Sequence, residues 1–380
     1  MDFSLTDEQS MLADSVERFI DNDYDFDTRQ RIAASEDGYS REVWESFAEL
    51  GWTAMLFSES DGGLDGGPVE MMVMMEQFGR GLVVEPFLAT VVLAGGLLKR
   101  AASPAQKERW LPALIGGEMQ AALAFSEPQS RFRLSDVATT ARADGTGYVL
   151  DGCKSVVPNG GGADLLIVPA RTSGEQTERD GITLFALSGQ SEAVIRTPYP
   201  TVDGHRAAEI RLQGVRVEAD AVLGRVGGGL EPLEATIEDA TLAVCAEAYG
   251  ILRSMQAKTV EYSKNRIQFG VPIGSFQALQ HRMVDMLMAC EQIRSLLLRA
   301  TIAAASGSVS AQQAISALKY HVGTAGRLVA QEAVQLHGGM GVTWELDIAH
   351  YFKRFTAIEL LFGNADFHLD RFVQSSARRT

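Results

Sequence analysis

The stretch Thr241–Leu252, TLAVCAEAYGIL, holds a single ionisable carboxylate, Glu247, among small and apolar neighbours. A carboxyl group taken out of water titrates higher than usual, as a base that removes a weakly acidic proton from carbon requires. The plain alternative is an exposed glutamate on an amphipathic helix. Further on, Arg266-Ile267-Gln268-Phe269-Gly270 sets a guanidinium, whose planar fork suits a pyrophosphate, beside a glycine that lets backbone come close to a ligand. Alone, that pentapeptide reads equally as a helix end with a solvated arginine. Gln335-Leu336-His337-Gly338-Gly339-Met340-Gly341 is a second glycine-rich segment, which alone is a turn between helices. There is no GxGxxG between a strand and a helix and no GxxxxGK[ST]. A nicotinamide-binding Rossmann domain or a P-loop phosphatase therefore gains no support.

These residues need elements to hold them. Leu12, Val16, Phe19 and Ile20 recur at helical spacing behind Thr6 and Gln9, the pattern of a capped amphipathic helix. The Asp61–Pro68 segment breaks the helical pattern, and Ser103-Pro104 opens another helix. Between about Gln120 and Gly228 short runs such as Tyr148-Val149-Leu150, Leu165–Val168 and Ile182–Phe185 alternate with Gly/Asp turns and predict strands. From Glu231 onward helical periodicity returns, with breaks near Gly270–Gly274 and Ser306–Ser308. The expected fold is mainly α: an N-terminal helical bundle over 1–119, a small central β-barrel or sandwich over 120–228, and a C-terminal four-helix bundle over 229–380. With 380 residues, 46% of them apolar and 22% charged, the chain can bury more than one core. A net charge of −15 repels phosphate backbones and anionic lipid, so neither nucleic acid nor membrane is expected as a partner. Acidic residues at the start and the lack of a membrane-length apolar run argue against export or insertion. Cys153, Cys245 and Cys290, odd in number and far apart, read as buried reduced thiols in a cytoplasmic protein.

Four stretches, in order along the chain, resemble the acyl-CoA dehydrogenase family. Ala124-Phe125-Ser126-Glu127-Pro128 with Ser135-Asp136 is similar to the family's T-E-P-x-x-G-S-D loop, and Gly152, Lys154 and Asn159-Gly160-Gly161 to its G-x-K-x-W-I-T-N-G segment, here read as a Gly-x-Lys turn. Arg266, Phe269, Gly270, Ile273 and Gln277 match R-x-x-F-G-x-x-I-x-x-x-Q, and Gln335, Gly338, Gly339 and Gly341 match Q-x-x-G-G-x-G. The resemblance implies FAD as cofactor, with Ser126 and Ser135 near the flavin and Arg266, Phe269, Gln335, Gly338 and Gly339 toward its pyrophosphate and ADP half. It also implies α,β-dehydrogenation of an acyl-CoA thioester, with an electron-transfer flavoprotein as electron acceptor.

The sequence departs from the family where the chemistry is done. In many members the base is the Glu of R-D-x-x-I-x-x-I-x-E-G-T; counting from Arg354 places Gly363 there. Other members carry the base on the helix leading into Arg-x-x-Phe-Gly, a position that falls on Ala240, with Asp239 beside it. Residues 240 and 247 differ by about 20° in azimuth on a helix. Glu247 is thus the expected base and Asp239 the runner-up, while Glu234 and Glu238 favour the helix N-terminus and Glu359 sits on a solvated or packed face. The thioester carbonyl would be polarised by a flavin ribityl hydroxyl and a backbone N–H near Gly363. Val156 stands for the family's Trp, Pro158 for its Thr, and Gln129–Leu134 lengthens the first loop. Such a half-kept flavin site resembles the small subunit of heteromeric dehydrogenases of the pimeloyl-CoA and sterol side-chain type. That likeness implies a second, non-identical subunit, two copies of each, and a bulky acyl group such as a steroid side chain or a dicarboxylic acid. A non-catalytic scaffold completing a partner's FAD site, or a homomeric enzyme, are the alternatives.

Overall fold

The structure is a computed structural model that describes residues 4–377; residues 1–3 and 378–380, the outermost of the expected first and third domains, lie outside them. Helices come first: α1 (Asp7–Asp23), α2 (Phe26–Ala34), α3 (Arg41–Glu49), α4 (Pro68–Gly81), α5 (Gly96–Ala101) and α6 (Pro104–Ile115). Thr6 and Gln9 form the reciprocal cap expected at α1, and Ser103 with Gln106 does the same at α6, where Pro104 takes the first turn. Strands follow: β1 (Ala121–Leu123), β2 (Thr140–Asp144), β3 (Gly147–Pro158), β4 (Leu165–Arg171), β5 (Ile182–Ser188), β6 (Val194–Pro200), β7 (Arg206–Val217) and β8 (Val222–Leu223). Then come α7 (Leu230–Asn265), the hairpin β9 (Ile267–Gln268) and β10 (Val271–Pro272), α8 (Gln277–Ala305), α9 (Ala311–His321), α10 (Arg327–His337), α11 (Asp347–Leu360) and α12 (Ala365–Ala377). The helix, strand, helix order read from the periodicities is the one observed.

By contacts the chain forms two compact units, one from residues up to 31, 67–83 and 241 onward, the other from 32–66 and 84–240. In the second unit the strands make one sheet in the order β6-β7-β3-β2-β4-β5-β8, with β1 parallel to β4. β4 and β5 are buried along almost their whole length, so they read as continuous apolar runs rather than alternating ones. Leu150, Leu166, Val168, Phe185, Ile210 and Leu212 share one core. Gly152 and Lys154 lie inside β3, not in the expected turn. The glycine is there because a Cβ would come within 2.4 Å of Thr139 Oγ1. Cys153, expected buried, is half-buried on that strand, whereas Cys245 and Cys290 are buried, and all three thiols are free.

In the first unit α4 and α7 touch backbone to backbone. A Cβ on Gly79 would lie 2.0 Å from the Glu247 carbonyl oxygen, and one on Gly250 would lie 1.9 Å from that of Glu76. α8 packs on α4, α9 and α10, α10 on α11, and α12 on α9. No helix among the described residues is long and apolar enough to cross a membrane. The close crossing makes Gly250 intolerant of even a methyl group: Gly250→Ala is expected to destabilise the protein by about 1–3 kcal/mol in urea unfolding. An unchanged midpoint would show that the crossing does not constrain α7.

Candidate functional site

Glu247 lies in the middle of α7, where every residue from Ala240 to Leu252 is buried. Burial all round this stretch means that a helix face is not what singles Glu247 out. Its partner does. The Arg354 guanidinium, on α11, donates from Nε to Glu247 Oε1 at 2.5 Å and from Nη2 to Oε2 at 2.8 Å, and both side chains are more than nine-tenths buried. The expectation of a lone carboxylate among apolar neighbours is therefore corrected. Within α7 the neighbours are apolar as read, but the opposing helix brings a cation. A bidentate fork is the strong form of carboxylate–guanidinium pairing and fixes both the rotamer and the plane of the acid. Each oxygen keeps a further lone pair, so the carboxylate retains the capacity to accept a proton.

The frame around α11 is tightly tied. Lys258 Nζ pairs with Asp347 at its first residue at 2.8 Å, and Tyr351 donates its hydroxyl to the Arg80 carbonyl at 2.5 Å. Glu359, expected on a solvated or packed face, is buried and accepts from Arg327 Nε at 2.8 Å. Beyond the helix, Phe362 and Gly363 both have positive φ, +58° and +116°. A Cβ at 363 would sit 2.4 Å from Phe367 Cδ1 and 2.8 Å from His368 Nε2. No L-residue, glutamate included, fits this backbone at 363, the physical counterpart of the missing base there. Asp239, the runner-up, is part exposed in the other unit and bound to Arg100 at 2.5 Å. Glu234 is likewise held by Arg179, at 2.7 Å.

In the second unit, the segment carrying Ser126 and Ser135 is fixed from behind. The buried Glu127 carboxylate accepts from Lys154 Nζ at 2.6 Å, from Ala138 N at 2.8 Å and from Thr139 N at 3.2 Å, while Lys154 also donates to the Pro169 carbonyl. Burial and the ammonium act oppositely on Glu127, and the balance holds its pKa below the usual carboxylate value. Ser126 is joined to β3 through its carbonyl and the Ser155 N–H at 2.9 Å, and the Ser135 carbonyl accepts from buried Arg171 at 3.0 Å. The inserted Gln129–Leu134 segment is a run of tight turns closed on Ser130, not an open loop. Val156, where the family has Trp, sits at a β-bulge with φ +51°, half-exposed, its N–H held by Glu209 at 3.1 Å. A β-branched residue in that region is strained, and Glu209 keeps it there together with Ser155 and Tyr199.

The remaining residues stand on open surface of the first unit. Arg266 is exposed at the C-terminal end of α7, its N–H bonded to the Tyr262 carbonyl at 2.8 Å, in keeping with the helix-end reading, while Phe269 lies at the turn of the β9–β10 hairpin, 93% exposed with φ +56°. Gln335 is exposed near the end of α10, and Gly338 and Gly339 begin a short 3-10 turn. A Cβ on Gly338, Gly339 or Gly270 would meet nothing within 4 Å. The chain's own packing does not demand glycine at 339, whose φ is ordinary. Glycine there leaves the backbone open to close approach by a ligand, and the exposed Arg266 guanidinium suits a pyrophosphate, so these residues are compatible with a dinucleotide-like cofactor. Arg354, Lys154 and Arg171 were missed as site residues because each acts on segments distant in sequence.

Three family descriptions match in order: Acyl-CoA dehydrogenase, N-terminal domain, over residues 6–118; middle domain, over 122–215; and C-terminal domain, over 227–376. The chain is 30% identical over 369 residues to a short-chain-specific acyl-CoA dehydrogenase of Megasphaera elsdenii, covering 93% of this chain and 94% of that protein. Among solved structures it is similar to PigA with FAD and proline, at 26% identity and TM-score 0.93 over 100% of both chains. It is also similar to the ChsE4-ChsE5 complex from Mycobacterium tuberculosis, at 27% identity and TM-score 0.90 over 99% of both chains. A variant of the Tcur3481-Tcur3483 steroid ACAD matches at 26% identity and TM-score 0.87 over 98% of both chains. For the buried pair itself, Arg354→Met strands the Glu247 carboxylate and is expected to lower stability by about 3–5 kcal/mol. Removing both charges together, Glu247→Leu with Arg354→Met, should restore most of it in the same urea titration. Equal losses in the single and double variants would refute the pairing as the cause.

Proposed function

This chain belongs to the acyl-CoA dehydrogenase family and takes FAD as its cofactor, and from that premise we propose that Glu247 is the base of an acyl-CoA α,β-dehydrogenase. The observation that carries the proposal is the buried Glu247–Arg354 fork, an oriented carboxylate in a dry setting. Glu247 takes the α-proton of the thioester, and the α and β carbons become doubly bonded as the β-hydrogen leaves with its electron pair. FAD, when bound, supplies the acceptor for that hydride, and an electron-transfer flavoprotein reoxidises it. Arg354 orients the carboxylate through the syn side of both oxygens, leaving a second lone pair for the incoming proton. An N–H at the Gly363 turn serves the thioester oxygen, where charge develops as the α-proton leaves.

The chain works as one subunit of a heteromer, two copies of each, and handles a bulky acyl group in the cytoplasm. Support comes from Val156 and the inserted turns on the flavin side, from the exposed hairpin with Phe269 at its tip, and from the likeness to the two-protein complexes named above. Arg266, Phe269, Gln335, Gly338 and Gly339 take the cofactor's pyrophosphate and ADP half, and Ser126 and Ser135 lie nearer its ring. Co-expression with the product of the neighbouring gene, followed by counting flavin per chain, tests the assembly. A yellow, active protein made of this chain alone would replace the heteromer with a homomer.

Glu247→Gln keeps the shape and removes the base. In the assembled enzyme it is expected to lower kcat by about 10²–10⁴-fold with flavin content near wild type, and, because it leaves the Arg354 guanidinium buried without its carboxylate, to lower the unfolding midpoint as well. A variant that stays within about tenfold of wild-type kcat makes this chain a scaffold rather than the catalytic subunit.

A further inference from the structure

Lys319 is buried on α9, and its ammonium has no carboxylate within ion-pair distance among the described residues. All three of its protons go to backbone carbonyls: Ile358 at 2.8 Å, Glu359 at 3.0 Å and Gly363 at 3.0 Å. The first two belong to the last turn of α11, whose end carbonyls have no partner within the helix and carry the negative end of its dipole. The third lies across the bend, so a single cation ties the helix end to the turn after it.

The same turn is gripped from α12. His368 Nε2 donates to the Phe362 carbonyl at 3.0 Å, and Asn364 caps the first turn of α12 by accepting from Phe367 N at 3.0 Å. Phe362 needs this support because a non-glycine residue at φ +58° is strained. The Gly363 N–H has no acceptor among the described residues although the residue is buried. A buried backbone donor left unpaired is rare and calls for a partner.

We propose that Lys319 is a positioning residue: by holding the Gly363 carbonyl and the end of α11 it aims the Gly363 N–H at the thioester oxygen of the substrate. The proposal rests on the acyl-CoA dehydrogenase reading but not on Glu247 being the base. Geometry supplies the argument, and titration supplies a handle on it. Burial pushes Lys319 down to about 8, against the smaller raising effects of Cys245 on α7 and Glu359 on α11. The other groups facing it do not change charge in that range: burial drives Cys245 up to about 12 and His368 on α12 down to about 3. Arg327 on α10 stays paired with Glu359. As pH rises through the Lys319 transition, the amine keeps two N–H groups for three carbonyls, and the turn loses one of its ties.

The test is the infrared C=O stretch of carbonyl-¹³C-labelled cinnamoyl-CoA, a product-like bulky thioester, bound to the assembled holoenzyme. Wild type is expected to lower the stretch relative to free thioester, and this shift should fade with a midpoint near pH 8. Lys319→Met should lose most of the shift and about 10- to 100-fold in kcat, with KM within about threefold, a loss no greater than that of an oxyanion donor itself. Lys319→Arg, which restores a buried cation, should recover part of both. A shift in Lys319→Met equal to wild type overturns the proposal, and so does a wild-type shift that stays flat from about pH 7 to 9. The wild-type titration decides the matter if Lys319→Met does not assemble. Glu247→Gln separates the two readings: it should keep the carbonyl shift while losing turnover, and an active Glu247→Gln would remove the base and leave Lys319 in place.

Discussion

A carboxylate in the middle of a fully buried stretch of helix needs a cation, and much of the first unit is arranged so that Glu247 gets one. Removing an ion from water costs several kcal/mol even after relaxation, and only close, well-oriented pairing offsets it. Arg354 meets that condition with a two-point fork. The fork in turn fixes the distance and rotation of α11 relative to α7. Tyr351 on the Arg80 carbonyl and Lys258 on Asp347 hold the same helix at other points along its length. Gly79 and Gly250 let α4 and α7 close to backbone contact, which leaves little freedom in where the Glu247 carboxylate stands.

On the proposed reading, α11 carries two jobs that the chemistry requires together. Its middle presents the guanidinium that orients the acid, and its end runs into the turn whose backbone N–H is free to meet an oxygen. The turn depends on two positive φ values and on glycine at 363, where a side chain would collide with Phe367 and His368. A base on that turn is excluded here for steric reasons, since a Cβ at Gly363 would collide with Phe367 and His368. On the proposed reading, with Glu247 as the base on α7, the turn is left with the electrophilic task alone.

Much of this was legible in the sequence, but unevenly. Thr6 with Gln9 and Ser103 with Pro104 announced helix starts because helix-start chemistry is local, and the apolar runs of β4 and β5 announced buried strands. Gly363 could be placed by counting from Arg354, and Glu247 stood out as one acid in twelve residues. What stayed hidden was pairing across distance. Arg354 served only as a counting landmark, although it lies 107 residues from the acid it holds. Lys154 looked like part of a turn and proved to be a buried strand residue holding Glu127. Lys319, set in the apolar run Ile315-Ser316-Ala317-Leu318-Lys319, carried a signal that went unread: a charge on a buried face must be using its protons on something.

The choice between catalyst and scaffold can be argued from energetics as well. Breaking a buried ion pair is costly, but replacing both members with apolar residues of similar volume is often neutral or favourable. Stability alone thus gives little reason for a charged pair between Arg354 on α11 and Glu247 in the buried, mostly small and apolar stretch of α7. A scaffold that only completes a partner's cofactor site would need the exposed hairpin and the Gly338-Gly339 turn, and would function as well with a leucine facing a methionine in the interior. A carboxylate that must remain in a dry place, in one orientation, with a lone pair to spare, is what proton abstraction from carbon requires. The pair is thus better accounted for by chemistry than by folding, which favours the catalytic reading.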